Sequence, residues 1–193
     1  MTVPFLAPFS AGQILTSDDM NETAEAVNSL GLFIVKSQTI GNAVSSVTVT
    51  DAFSSDFDHY KIIVQVNSIA AGGPYMTLQM GSTTTGYYWG APVVNYAAAT
   101  ASAISTNNGS SWNRLGPGGT TGMAGVYDLL NPFLSKNTII SGTYADPATA
   151  GSAGVGSGYL NNTTSYTAFT VGVTSSTMTG GTIKVYGYRN SYS

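Results

Sequence analysis

From residue 32 onward the chain is a succession of short apolar or alternating runs, separated by clusters of Gly, Asn, Ser and Pro. Leu32-Phe33-Ile34-Val35 is a buried-type run. Tyr60-Lys61-Ile62-Ile63-Val64-Gln65-Val66 is rich in the β-branched and aromatic residues that suit a pleated surface. In 43–50 the apolar members Val44, Val47 and Val49 alternate across a slipped phase. Further strands are expected at 75–80, 87–89, 93–96, 122–130, 138–144, 158–160, 168–174 and 182–189, the last two as a closing hairpin. Between them Ala71-Gly72-Gly73-Pro74, Asn107-Asn108-Gly109, Gly116-Pro117-Gly118-Gly119 and Gly180-Gly181 carry turn chemistry. Many short strands at even spacing, with no internal repeat of fixed period, predict an all-β fold, a jelly-roll-like antiparallel β-sandwich.

A chain of 193 residues can bury a sizeable core in one main domain. Charged residues make up only 8% of it, against about 25% in an average soluble domain. Ser, Thr, Asn and Gly must then supply most of the wetted surface, which suits a part that works docked in an assembly. The net charge is −3, and the six basic residues (Lys36, Lys61, Arg114, Lys136, Lys184 and Arg189) are scattered. No basic stripe exists to neutralise a row of phosphates, so neither nucleic-acid binding nor an electrostatic membrane-surface mode is expected. There is no Cys, hence no disulfide framework and no thiolate chemistry. No stretch approaches the roughly 18 apolar residues that span a bilayer. Residues 1–14 lack a basic residue and include Pro4 and Pro8, so they do not read as a signal peptide. Work outside a cell would then follow release by lysis.

The composition shifts near residue 31. Asp18, Asp19, Glu22 and Glu25 fall within eight positions, and no Glu follows. Thr16 or Ser17 can cap a helix here, and Asp18 and Asp19 suit its positive end. Met20, Ala24 and Val27 form one apolar stripe, and Gly31 is a natural stop. A helix of about 14 residues is marginal alone and needs a surface to pack against. Ahead of it, Pro4-Phe5-Leu6-Ala7-Pro8-Phe9 is apolar but cannot be regular helix. Residues 1–30 therefore read as an extended docking arm with one short helix. Phe5, Phe9, Ile14, Leu15, Met20 and Val27 are its anchor side chains, and 31–193 is the β-sandwich domain. The alternative is an arm folded back on its own domain.

Catalytic equipment is sparse. The one histidine, His59, lies in Asp56-Phe57-Asp58-His59-Tyr60. Two carboxylates and an imidazole are metal ligands in principle, but the spacing matches no defined motif and reads equally well as a polar turn entering a strand. No G-x-S-x-G is present. Glycoside hydrolysis needs two facing carboxylates, and outside the N-terminal helix only Asp51, Asp56, Asp58, Asp128 and Asp146 remain. The glycine-rich stretch 151–158 lacks the order and the Lys of a phosphate loop and reads as a flexible loop. No catalytic residue, metal or cofactor is expected, and the chain reads as a non-enzyme. The aromatics are more informative. Tyr87, Tyr88, Trp89, Tyr96 and Trp112 offer flat faces with a hydrogen-bonding tip, suited to a core, a protein interface or a sugar ring. Strand alternation puts Tyr87 and Trp89 on one side and Tyr88 on the other.

The run Pro8-Phe9-Ser10-Ala11-Gly12-Gln13-Ile14-Leu15-Thr16-Ser17-Asp18-Asp19-Met20-Asn21 resembles a segment near the start of many tailed-bacteriophage virion proteins. There an aromatic residue is followed by Gly, an apolar pair, Thr-Ala-Ser or similar and an acidic-apolar-Asn ending; here Ser17 stands where Ala is usual. Ser82-Thr83-Thr84-Thr85-Gly86-Tyr87-Tyr88, Asn107-Asn108-Gly109-Ser110-Ser111-Trp112 and Gly181-Thr182-Ile183-Lys184-Val185-Tyr186-Gly187-Tyr188 look like stretches of phage tail or head-fibre proteins with a C-terminal β domain. The resemblance implies a virion protein assembled in the host cytoplasm, attached to other virion proteins by its N-terminus and often trimeric. It points first to a tail-associated fibre of receptor-binding type, with a host surface glycan as a partner. A capsid decoration protein or head fibre is the alternative, and a virion-associated glycan-degrading enzyme comes third. Trimerisation would cover β edges and apolar patches that so weakly charged a domain can hardly guard.

Overall fold

The computed structural model describes residues 16, 31–70, 73–148 and 150–188. The arm and helix expected in 1–30, with Phe5, Phe9, Ile14, Leu15, Met20 and Val27, lie outside the described residues apart from Thr16. What is described is all β, two antiparallel sheets packed as a sandwich.

The large sheet has eight strands. In spatial order they are β1 (Leu32–Thr39), β11 (Met178–Tyr188), β3 (His59–Ile69), β7 (Met123–Leu130), β8 (Thr138–Ala145), β9 (Ser152–Leu160), β5 (Tyr87–Asn95) and β6 (Ala101–Gly109). The small sheet is β2 (Ser46–Val49), β10 (Phe169–Val173) and β4 (Met76–Met80). Each strand of the small sheet is entered from the large sheet and left towards it. Irregular backbone widens the small sheet beyond β4. The amide and carbonyl of Trp112 exchange bonds with Leu78 at 3.0 Å, and the Leu115 amide donates to the Met76 carbonyl.

Period-two burial builds the core. In β3, Tyr60, Ile62, Val64 and Val66 are buried while His59, Lys61, Ile63 and Gln65 face away. Opposite them the small sheet presents Val49, Phe169, Val171, Leu78, Met76 and Met80, all buried. Each such side chain contributes about 1.5–3 kcal/mol by leaving water. Aromatic pairs tie the layers together: Phe53 meets Tyr60 edge-on at 4.8 Å and stacks on Phe169 at 5.5 Å.

Four local expectations need correction. The stretch 151–158, expected to be a flexible loop, is most of β9, an interior strand paired with β8 and β5. Its glycines are close-approach positions: a Cβ on Gly156 would stand 2.5 Å from Trp89 Cζ2 and 2.7 Å from Ala91 Cβ, and one on Gly154 would meet the Tyr144 ring. Large rings from neighbouring strands occupy the space that side chains of β9 would need. Secondly, 87–89 and 93–96 are one strand, β5. It runs through Pro92, and the ladder to β9 skips Ala91 and Pro92 without losing register. Missing a donor, Pro92 interrupts pairing on one side only. Thirdly, β6 was unexpected, because its sequence ASAISTNNG has low strand propensity and ends in turn residues. A bulge opposite Tyr87 and Trp89 absorbs Asn107 and Asn108, and Asn108 adopts φ 51°. Fourthly, β10 and β11 are no hairpin, since β10 pairs with β2 and β4 in one sheet and β11 with β1 and β3 in the other.

Buried tyrosines set the alkaline limit of this fold. Burial pushes the Tyr144 hydroxyl up to about 12, with Tyr75 nearby adding to the effect, and the Tyr144 hydroxyl has no hydrogen-bond partner. Burial also raises Tyr127, whose hydroxyl donates to the Leu115 carbonyl at 2.7 Å, and Tyr87. A folded-state value raised above the unfolded value of 10.0 contributes stability below that value and loses it as pH rises through the folded value. Urea-unfolding stability should therefore be level through neutral pH and fall above pH 10, by at most about 1.4 kcal/mol per pH unit for each such tyrosine. Constant stability up to pH 12 would show that these hydroxyls are not buried in solution.

Candidate functional site: the outer face of the large sheet

The two outer faces of the sandwich differ in chemistry. On the small sheet Ser46, Thr48, Thr77, Gln79 and Thr170 point outward, and the Thr48 and Thr170 hydroxyls are hydrogen-bonded at 2.9 Å. Water solvates such a face readily. An antiparallel sheet with one solvated side normally shows this polar-out alternation.

The large sheet departs from it between β7 and β6. The outward positions of β7 are Ala124, Val126, Asp128 and Leu130, and those of β8 are Ile139, Ser141, Thr143 and Ala145. In β9 and β5 they are Ala153, Val155, Ser157, Tyr159, Tyr88, Gly90, Pro92 and Val94, and in β6 Ala101, Ala103 and Ser105. Val155 is 55% exposed, Val94 46%, Ile139 41% and Tyr159 39%. Asp128 is the single charged side chain among these positions. Ala124 and Ala145 face each other in register and leave a shallow groove bordered by Gln65 and Pro147. The register sets a polar row, Asp128, Ser141, Ser157, Gly90 and Ser105, between apolar rows. Ile139, Tyr159 and Tyr88 lie on one side, and the rows holding Val155, Pro92, Ala103 and Val94 on the other. Exposed apolar rows of this kind mark a packing surface.

Where Asp128 sits, its charge is neutralised locally. Lys61, its cross-strand partner in β3, places Nζ 2.7 Å from Asp128 Oδ1. The Tyr188 hydroxyl donates to the same oxygen at 2.6 Å, and Lys61 Nζ lies 5.7 Å from the Tyr188 ring centre. Burial works against the Lys61 charge, but the Asp128 contact outweighs it and holds the ammonium above its ordinary value. Burial, followed by the bond to Asp128, raises Tyr188. The group is a closed charge cluster in which the carboxylate is already committed. His59 flanks it in register with Tyr188 and Leu130, its Nδ1 buried without a hydrogen-bond partner.

The five aromatics singled out in the sequence separate into core and surface. Tyr87, Trp89 and Trp112 are buried and cannot touch a receptor. The Tyr87 hydroxyl donates to the Thr83 carbonyl at 3.1 Å and accepts from the Met80 amide. Trp112 Nε1 donates to the Tyr88 carbonyl at 3.1 Å, and the Trp112 ring meets Tyr87 edge-on at 5.1 Å. Tyr88 lies on the outer face and stacks on Tyr159, with centroids 4.9 Å apart and planes 9° from parallel. Tyr96, 46% exposed, lies just past the end of β5. Tyr159, Val155 and Ile139 were not anticipated, because alternation fixes which residues share a face and not which face is covered. Asp56 accepts a hydrogen bond from the Ser54 hydroxyl, and among the described residues no three His, Cys, Asp or Glu side chains converge as metal ligands would.

No protein-family model matches the chain, and no curated protein matches it. Among solved structures it is weakly similar to the structure of infectious bursal disease virus Gt strain. Identity is 12% over 80% of this chain and 40% of that one, with a TM-score of 0.15. The chain thus spans well under half of that protein, and a likeness this weak bears on neither fold nor function. The class that the structure defines is an all-β, two-sheet sandwich with one polar outer face and, on the large sheet from β7 to β6, a second face that exposes Ile139, Val155, Val94 and Tyr159.

Proposed function

We propose that this chain is a structural, non-enzymatic component of a tailed-bacteriophage virion, attached by residues 1–30. In this reading the apolar outer face of the large sheet packs against neighbouring copies in a homotrimer. The observation that carries it is that face, on which Asp128 is the single charge from β7 to β6 while Val155, Ile139 and Val94 stand exposed. Such a surface is costly for a free monomer and is favourable once covered. The address on the particle proposed first is the tail, as a fibre of receptor-binding type. The stacked Tyr88–Tyr159 pair supports the host-contact part, since paired, accessible rings offer a flat surface to a sugar.

Locating the chain on purified particles by specific antibody or density map tests the reading. Density on the tail supports it, density on the capsid replaces it by a decoration protein or head fibre, and absence from the particle rejects it. Deleting residues 1–30 should abolish incorporation and leave the β domain folded, because the domain from β1 to β11 supplies a buried core from Ile40 to Val185, with Val35 packed against it. The face has its own prediction. The double variant Ile139→Lys, Val155→Lys should lose the face-packed trimer and keep its unfolding transition within about 0.5 kcal/mol per site, as exposed positions do. An oligomer of unchanged size would remove the face from the interface.

A further inference from the structure

Among the described residues the large sheet ends on two edge strands that are protected very differently. At one end β1 carries a bulge between Ile34 and Lys36, and Lys36 lies 3.7 Å from Asp51. Bulges and lysines on an edge discourage another strand from pairing there. At the other end β6 has the sequence ASAISTNNG, with no Lys, Arg, Asp, Glu or Pro. Its bulge lies at Asn107 and Asn108, so the run from Ala101 to Ser105 is regular and unguarded.

The direction of the free main-chain groups on that run follows from the hairpin. The Asn95 amide donates to the Thr100 carbonyl at 3.1 Å, which makes those two residues a hydrogen-bonded pair. In the same register Val93–Ser102 and Ala91–Ile104 are the next bonded pairs. Ala101, Ala103 and Ser105 therefore aim their N–H and C=O groups away from β5. Pro92 agrees with this phase: it sits opposite Ala103, where β5 needs no donor towards β6. Among the described residues no backbone bond beyond β5 reaches that run.

We infer that β6 is a pairing edge for β6 of a second copy of this chain, joining two large sheets across a two-fold axis at Ala103. Antiparallel pairing about that axis sets Ala101 against Ser105, Ala103 against Ala103 and Ser105 against Ala101. Every residue in that register has outward main-chain groups, so each pair exchanges both bonds. Small side chains let the strands approach, and no like charges oppose each other. The pairing also makes the apolar positions Pro92, Val94 and Ala103 continuous with those of the second copy, extending the face described above. The contact is short and self-complementary, so it forms in a concentration-dependent way. It is distinct from face packing and survives if that reading fails.

The experiment is sedimentation and amide hydrogen exchange on the full chain over a concentration series. Association is expected, with the amides of Ala101, Ala103 and Ser105 slowing as concentration rises. Ala103→Pro removes one outward donor that the domain's own ladder does not use and should weaken association at least tenfold, leaving the circular dichroism spectrum unchanged. Should that variant fail to fold, Ala103→Lys keeps the amide, sets like charges opposite each other on the axis and should weaken association similarly. The double variant Ile139→Lys, Val155→Lys should retain the edge protection. The inference is overturned by a wild-type chain that stays monomeric, by concentration-independent exchange at these three amides, or by association that folded Ala103 variants leave intact. Protection that appears only when another virion protein is added also overturns it.

Discussion

Trp112→Ala should lower the unfolding free energy by about 4 kcal/mol, the range for emptying a fully buried tryptophan site. Trp112 is fully buried, packs edge-on against Tyr87 and holds the Tyr88 carbonyl through Nε1. Truncation therefore opens a cavity, removes an aromatic contact and leaves a carbonyl short of a donor. At roughly 2–4 °C per kcal/mol for a domain of this size, the melting temperature should fall by about 10 °C. Tyr88→Ala supplies the contrast: its ring lies on the outer face, so the loss should be well below that for Trp112, while any contact of the face with a partner would weaken. The two variants separate a core role from a surface role within one group of aromatics. An unchanged melting temperature for Trp112→Ala would place that ring outside the core.

Gly156→Ala should be the next most damaging single change, at about 2–3 kcal/mol, the cost of forcing extra atoms into a packed site. The added methyl would press on Trp89 Cζ2 at 2.5 Å, on Ala91 Cβ at 2.7 Å and on the Gly90 carbonyl at 2.7 Å. A backbone oxygen and a buried ring in a sheet interior cannot move aside cheaply. A flexible loop predicts the opposite sign. There the same substitution restricts the unfolded chain and stabilises by up to about 1 kcal/mol. Chemical denaturation thus distinguishes the two by direction, and a stabilised Gly156→Ala variant would remove β9 from the sheet interior.

The glycine-rich strand shows why parts of this fold could not be read in advance. Glycine has no side chain to record an alternation, and its low strand propensity signals a loop. The rings that fill the space above β9 are supplied by Tyr144 of the preceding strand β8 and by Trp89 of β5, far away in sequence, and neither pairing is marked in the glycine-rich stretch itself. β6 was hidden for a related reason: it is held by the hairpin register with β5, and Ala, Ser and Asn do not announce a strand. Pro92 misled in the other direction, dividing one strand into two, because the cost of its missing donor depends on which neighbour it faces. Tyr87, Tyr88 and Trp89 were legible in part: their alternation was written in the sequence, and their division into core and surface was not.

By itself, then, the sequence determined the local physics. It specified antiparallel strands from period-two runs and turn residues, and a surface wetted by hydroxyls and amides with few charges. It also specified a chain with little to offer acid–base or thiolate chemistry. Only the tertiary structure decided which strands enter which sheet, because an inward valine in β10 and one in β11 have the same local pattern and differ only in non-local pairing. It also decided that the small sheet's outer face is hydroxyl and amide, while the large sheet turns Val155, Ile139 and Val94 outward, and that among the described residues β6 ends the sheet. Burial is a property of what lies across from a residue, and the identity of that neighbour is set by contacts far apart along the chain.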